Sequence, residues 1–190
     1  MTFKELIEFI AADLYRYNGQ RGVKCFLQYF FFGVGPKFTI WFRICSFCWS
    51  HKCLKYTVGL IVRLIYNHYR FKFGIEIFPG TQVGAGLYIG HFGGIVVSGL
   101  AKIGENCNLS QGVTIGNKGG GSHPGAPVIG KNCYIGPGAK IIGGITIGDN
   151  CIIGANAVVV KDCPAGSVIA GIPGRVIGSS ENLAYVNNTI

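Results

Sequence analysis

An aliphatic residue recurs at every sixth position through the second half of this 190-residue chain. Glycine often follows that residue directly, and a small residue often comes four positions after it. A repeat of this length is typical of a solenoid, in which the aliphatic side chains fill the interior and glycine allows the corners. The pattern predicts short strands that wrap a triangular prism. The series is Val83, Ile89 and Ile95; Ile103, Leu109 and Ile115; and Ile129, Ile135, Ile141, Ile147, Ile153 and Val159.

The composition changes near Gly74, which separates two segments of different character. Residues 75–190 hold 25 of the 31 glycines and are close to neutral, whereas residues 1–74 carry a net charge of +8 and most of the aromatic side chains. Aromatic residues this frequent and charged residues this rare exclude a disordered chain. We therefore expect a helical, basic and aromatic segment over 1–74, a solenoid domain over 75–178 and a tail over 179–190.

The hexad phase breaks twice, and the larger break predicts a loop. Eight residues separate Ile95 from Ile103, and fourteen separate Ile115 from Ile129. The second interval contains the glycine- and proline-rich run at 117–127, which we expect to protrude from the prism. Long loops that leave a rigid scaffold are commonly functional.

Three runs of the solenoid half carry a resemblance to a known family: IEIFPGTQVGAGLYIGHFGGIVVS, GNKGGGSHPGAPVIG and GIPGRVIG. They resemble the left-handed parallel β-helix acyltransferases, and most closely the serine acetyltransferases and the related acetyltransferases of surface-polysaccharide synthesis. The resemblance covers residues 75–178. It implies a mainly β, left-handed parallel β-helix with a short helical N-terminal segment, an O-acetyltransferase that uses acetyl-CoA, and a homotrimer. No metal is expected, because a zinc site on this solenoid needs three histidines on neighbouring coils and this half has two.

Acetyl transfer to an alcohol needs a group that takes the hydroxyl proton, and an imidazole suits this task near neutral pH. His91 and His123 are the histidines of the solenoid half. The resemblance implies that His91 is the general base and that His123 assists in the acceptor site. Glu76 lies 15 residues before His91 and matches an acidic partner of the base. The alternatives are a solvated surface histidine at 91 and a solvated carboxylate at 76.

The resemblance also implies a coenzyme A site in the groove between two solenoids. Pro137 and Ala155 match residues beside the pantetheine arm, and Lys161 and Arg175 match residues near the phosphates, where cations are favoured. Lys118 in the loop is a weaker candidate. Each of these could instead be an ordinary surface residue.

Two departures from the serine acetyltransferases bear on the acceptor. Those enzymes have an aspartate before the base and an arginine before the loop histidine, whereas this chain has Gly90 and Ser122. Because a carboxylate normally calls for arginine, we expect an uncharged acceptor, a sugar hydroxyl of a surface polysaccharide or its lipid-linked precursor. The alternatives are serine O-acetylation and a non-catalytic, membrane-associated assembly module.

The N-terminal segment is expected to be helical. Thr2 and Glu5 have the spacing of a capping box that opens a helix to about residue 17, a second helix is expected at 24–32, and helix covers much of 39–70. If 52–70 is continuous, its basic residues fall on one arc, which suits an anionic bilayer surface; packing between subunits is the main alternative, and nucleic acid is not expected. The predicted location is cytoplasmic, at the inner face of the membrane. The basic residues of that arc are Lys52, Lys55, Arg63 and Arg70.

The eight cysteines give no sign of a disulfide framework. Four of them occupy the inward small-residue position of a hexad, where a thiol acts as a compact apolar group. The spacing of Cys45, Cys48, His51 and Cys53 would in principle allow zinc, although their surroundings are apolar and helical. The four inward cysteines are Cys107, Cys133, Cys151 and Cys163.

Overall fold

The computed structural model describes residues 1–181 and 184–190. Five helices come first: α1 (Phe3–Asn18), α2 (Val23–Phe32), α3 (Val34–Ser50), α4 (Lys52–Lys55) and α5 (Val58–Phe73). The strands are β1 (Ile75–Ile77), β2 (Gln82–Val83), β3 (Ile95–Val97), β4 (Lys102–Ile103), β5 (Asn108–Leu109), β6 (Thr114–Gly116), β7 (Val128–Ile129), β8 (Tyr134–Ile135), β9 (Lys140–Ile142), β10 (Thr146–Ile147), β11 (Ile152–Ile153), β12 (Val158–Val159), β13 (Ser167–Ala170) and β14 (Arg175–Ser179).

From β1 to β13, consecutive strands belong to different sheets, so the chain winds around a prism with three faces. The first sheet has the order β1-β3-β6-β9-β12, the second β2-β4-β7-β10, and the third β5-β8-β11-β13-β14. All pairings are parallel except that between β13 and β14, which ends the prism. The aliphatic residues of the hexads lie buried inside the prism. The predicted left-handed β-helix with a helical N-terminal segment is confirmed.

Stacked asparagines hold one corner of the prism. Asn106, Asn132 and Asn150 have φ values of 55°, 56° and 58°, in the left-handed region where asparagine is tolerated better than most residues. The amide of Asn106 donates to Asn132, and that of Asn132 donates to Asn150, both over 3.1 Å. This ladder ties three successive coils together.

The inward-facing cysteines belong to the core, as their hexad position predicts. Cys107, Cys133, Cys151 and Cys163 are buried, and none of the eight cysteines forms a disulfide. The hydrogen bond with Cys107 raises the pKa of the Cys133 thiol to about 12, and burial acts in the same direction. In the described part of the chain, no group of three or more His, Cys, Asp or Glu could hold a metal ion.

A buried ion pair joins the helices to the solenoid. Arg43 of α3 contacts Asp13 of α1 through two hydrogen bonds of 2.9 and 3.0 Å, and both side chains are almost fully buried. Arg43 also donates to the carbonyl oxygens of Val83 and Gly84, while Asp13 accepts from the backbone N–H of Leu87. These bonds satisfy charges that would otherwise be costly to bury. The helical segment is therefore packed onto the first coil.

The helices differ from the sequence prediction at two places. Helix α3 begins at Val34, earlier than the predicted start at 39, because Gly35 and Pro36 form its first turn, where proline is tolerated. The prediction of a continuous helix over 52–70 is wrong, because Tyr56 and Thr57 interrupt the helix between α4 and α5. The Thr57 hydroxyl donates to the carbonyl oxygen of Cys53 over 2.8 Å, a local bond that competes with the helix.

The predicted basic arc is accordingly not formed. Lys55 lies over the ring of Trp49 at 3.8 Å from its centroid, and Arg63 lies at 5.4 Å from the same centroid. Arg70 is bound to the carboxylate of Glu76. Three of the four arc residues are thus engaged within the chain.

Candidate active site

His91 lies exposed at the corner between the third and the first sheet. Before this corner, Tyr88 pairs with Asn108 of the third sheet. After it, the first sheet resumes with β3 at Ile95. Ile89 points inward and is fully buried, which fixes the backbone just before the histidine. The imidazole therefore projects outward from a rigid position.

Helix α1 binds the backbone of Ile89, two residues before His91. The hydroxyl of Tyr17 donates to the carbonyl oxygen of Ile89 and accepts from the N–H of Ile89, both over 3.1 Å. The backbone of Gly35 in α3 approaches the same carbonyl so closely that a side chain there would collide with it. The helical segment is thus part of the support for His91.

A pocket of about 320 Å³ opens beside His91, with aromatic walls formed by Tyr17, Tyr88 and Tyr134. Arg16 of α1 also lines it and donates three hydrogen bonds, to Asn108, Gly86 and Asn187. A guanidinium carries five N–H donors, so these bonds use three of them, and the side chain is almost fully buried. The pocket suits a small polar molecule that carries negative charge.

Sequence reasoning missed Arg16, because it lies outside the solenoid motifs. The available signal is in α1, where buried Asp13 and Arg16 occupy the same helix as the buried apolar residues Leu6, Ile10 and Leu14. Charged residues on a buried helix face need partners. Here Asp13 pairs with Arg43 of α3. Arg16 donates to the first two coils and to the tail.

Glu76 is exposed on β1, and its carboxylate binds Arg70 of α5 over 3.0 Å. Among the described residues, no hydrogen bond joins Glu76 to His91. The pairing of Glu76 with the base stays a prediction, and the contact that the structure records for this carboxylate is with Arg70.

Two of the predicted coenzyme A residues lie in one column with His91. His91, Pro137 and Ala155 each come two residues after a buried aliphatic residue of the third face, in successive coils that skip only the coil of Gln111. The N–H of Gly138 donates to the carbonyl oxygen of Gln111 over 2.9 Å, which stacks those two coils. These residues therefore follow one edge of the prism.

Gln111 is a second residue that sequence reasoning missed. Its side-chain oxygen Oε1 is buried, and within the described residues it has no hydrogen-bond partner. The signal was present in the hexads, because Gln111 occupies the phase of His91 one coil later.

Arg175, at the start of β14, pairs with Ala170 of β13 at the far end of the third sheet.

His123, Lys118 and Lys161 lie at a different corner, between the first and the second sheet. The predicted loop at 117–127 leaves between β6 and β7, and Lys118 and Gly125 exchange backbone hydrogen bonds of 2.8 and 2.9 Å across its base. The carbonyl oxygen of His123 accepts from the N–H of Gly144 over 2.9 Å. A single chain thus places its two solenoid histidines on separate corners.

The comparisons with known proteins agree with this architecture. The family described as bacterial transferase hexapeptide (six repeats) matches residues 126–161. This chain is a hexapeptide-repeat protein. It is 42% identical over 128 residues to a serine acetyltransferase of Staphylococcus xylosus, a match that covers 67% of this chain and 59% of that protein. The resemblance to the hexapeptide-repeat acetyltransferases, with the serine acetyltransferases among them, is confirmed.

Solved structures extend the likeness of this hexapeptide-repeat protein to the helices. A serine acetyltransferase of Neisseria gonorrhoeae matches with a TM-score of 0.77 at 28% identity, over 93% of this chain and 66% of that one. A serine acetyltransferase in complex with CoA matches with a TM-score of 0.75 at 27% identity, over 92% and 70%. The chain spans 42–59% of the length of the first curated relatives it matches.

The expectation of a saccharide acceptor is wrong by these findings. The curated relatives at about 40% identity are named serine acetyltransferases, and so are the matching structures. The argument rested on the missing charges at Gly90 and Ser122, and it assumed that a cation for a carboxylate must come from the solenoid. Arg16 instead brings a guanidinium to the pocket from α1.

Proposed function

We propose that this protein transfers the acetyl group of acetyl-CoA to the hydroxyl of L-serine. The observation that carries the proposal is the 42% identity to a protein named serine acetyltransferase, over a stretch of 128 residues. The exposed His91 beside a pocket lined by Arg16 supports it.

His91 is the proposed general base. Its imidazole takes the hydroxyl proton as the oxygen attacks the thioester carbon, so that a C–O bond forms and the C–S bond breaks. The leaving thiolate then receives that proton, which regenerates the neutral imidazole. General base catalysis of this kind contributes about 10²–10⁴ in rate. His123 assists at the acceptor.

Arg16 is the proposed partner of the serine carboxylate. Three of its donors hold the helix, the first coil and the tail in place, which fixes the guanidinium before a ligand arrives. Two N–H groups match two carboxylate oxygens, the arrangement that arginine supports best.

The complete site is proposed to form between subunits of a homotrimer. The column with His91, Pro137 and Ala155 supplies the pantetheine side of the groove. The neighbouring subunit supplies His123, with Lys118 as a weaker contact in the loop, and Lys161 and Arg175 lie near the phosphates of coenzyme A. Because the two corners belong to different edges of one prism, a cyclic assembly is the arrangement that joins them. The proposed location is cytoplasmic, where acetyl-CoA is available.

An assay of thiol release tests the proposal. Full-length protein with acetyl-CoA and L-serine should release coenzyme A, with O-acetylserine as the product by mass spectrometry. L-Alanine, which has the same ammonium and carboxylate but lacks the hydroxyl, should give only the background rate. Absence of turnover with L-serine, or equal thiol release with L-alanine, would contradict it.

A further inference from the structure

An open apolar groove of about 750 Å³ lies among the helices, away from His91. Its walls include Phe3 and Ile7 of α1, Val23 of α2, Phe47 of α3 and Val58 of α5. Arg21 is the sole charged side chain among the described residues that line it. We call this surface the helix groove.

Exposed apolar side chains continue beyond the helix groove along α2. Val23, Leu27 and Phe31 follow one another at intervals of four residues, which places them on one face of that helix. They are 75%, 49% and 60% exposed, and Phe32 at the end of α2 is 86% exposed. A contiguous apolar surface of this kind marks an interaction site.

At the α2 side of the helix groove the exposed charges are positive, whereas the exposed carboxylates Glu5 and Glu8 lie on α1. Each of the three carboxylates of residues 1–74 is engaged: Glu5 in the capping box of α1, Glu8 with Lys4 over 3.8 Å, and Asp13 with Arg43. Arg21 and Lys24, which flank Val23, are exposed. An apolar groove with cations at its edge complements an anionic lipid surface.

We propose that the helix groove and the apolar face of α2 dock this protein onto an anionic lipid bilayer. No helix in the described part of the chain is long and apolar enough to cross a membrane, so the contact is peripheral. The cations that matter are Arg21 and Lys24 rather than the predicted arc. This proposal does not depend on the acetyl-transfer reaction, because the helix groove is separate from the pocket of His91.

A second copy of the chain is the less suitable occupant. Two copies that met through this surface would bring the exposed Arg21 and Lys24 of each chain to one contact. Anionic headgroups are attracted to the same charges, and each cation near such a surface strengthens binding about fivefold.

Co-sedimentation of the full-length protein with vesicles tests the proposal. The protein should bind phosphatidylglycerol vesicles, should release them as salt is raised, and should bind phosphatidylcholine vesicles far more weakly. Val23→Glu should abolish sedimentation, whereas Ile177→Glu, at an exposed apolar residue of β14, should not. Lys24→Gln should weaken binding about fivefold, and Lys131→Gln on the solenoid should leave it unchanged.

Circular dichroism and thiol release would accompany each variant, so that misfolding and loss of acetyl transfer are scored separately from loss of lipid binding. Equal binding to both vesicle types, or equal loss in Val23→Glu and Ile177→Glu, would overturn the proposal. Absence of vesicle binding would also overturn it. If the Val23→Glu variant then sedimented as a smaller assembly, the groove would be an interface between copies.

Discussion

His91 is the residue whose removal should separate chemistry from stability. Its side chain is exposed and packs little, so His91→Ala should lower kcat with L-serine by about 10²–10⁴ and leave the midpoint of urea unfolding unchanged. His68→Ala, at an exposed histidine of α5, is the matched control and should keep full activity. Retention of most of the activity by His91→Ala would remove the histidine from the mechanism.

Tyr17 is expected to act on the reaction through the backbone of Ile89. Tyr17→Phe leaves the N–H and the carbonyl oxygen of Ile89 without their partner, which should destabilise the protein by about 1–3 kcal/mol. It should also lower kcat, because the corner that carries His91 loses its support.

Tyr15→Phe on the same helix is the control for Tyr17→Phe, and both would be compared by urea unfolding and by the pH profile of kcat. A Tyr17→Phe variant with normal kcat and an unchanged pH profile would limit Tyr17 to a structural role.

At the residue scale, the sequence was informative wherever a residue belonged to a hexad. The phase of the repeat predicted the buried aliphatic residues, the inward cysteines and the outward direction of His91. Pro137 and Ala155 came from the family resemblance, and the structure brings them to the same edge as His91. It could not place Arg16 or the Arg70 contact of Glu76, because both cations come from helices whose docking depends on tertiary contacts.

At the element scale, the ion pair of Asp13 and Arg43 is the main polar contact between α1, α3 and the first coil. Asp13→Ala should destabilise the protein by about 3–5 kcal/mol, because the guanidinium stays buried without its partner. Urea unfolding at neutral pH measures this change.

The double variant Asp13→Ala/Arg43→Leu is the control for the ion pair. Removing both charges should recover part of the loss, since no unpaired ion remains in the interior. A double variant as unstable as the sum of the two single variants would show that the charges do not act as a pair.

The helices show where local signals are sufficient and where they are not. The capping box of Thr2 and Glu5 is formed as predicted, because its bonds lie within one turn. The break after α4 was missed. There the Thr57 hydroxyl donates to the carbonyl oxygen of Cys53, and the backbone of Gly59 lies so close to the carbonyl oxygen of Leu54 that a side chain would collide with it. A contact across such a break leaves no periodic signal in the sequence.

At the scale of the whole molecule, the proposed site uses two histidines that a single chain keeps apart. His91 and His123 lie on separate corners of one prism, and the same rigidity that fixes each of them keeps them apart. A site that uses both requires a second subunit. The central claim is therefore that acetyl transfer occurs between neighbouring subunits.

Mixing two inactive variants tests this claim most directly. His91→Ala and His123→Ala would be co-expressed with different tags, mixed assemblies would be isolated on both tags, and thiol release with L-serine would be measured. In a cyclic trimer that contains both variants, about one third of the interfaces, one of the three, pair an intact His91 with an intact His123 from the neighbour. The account predicts activity near that fraction of the wild type, far above either single variant. Mixed assemblies no more active than the single variants would contradict it.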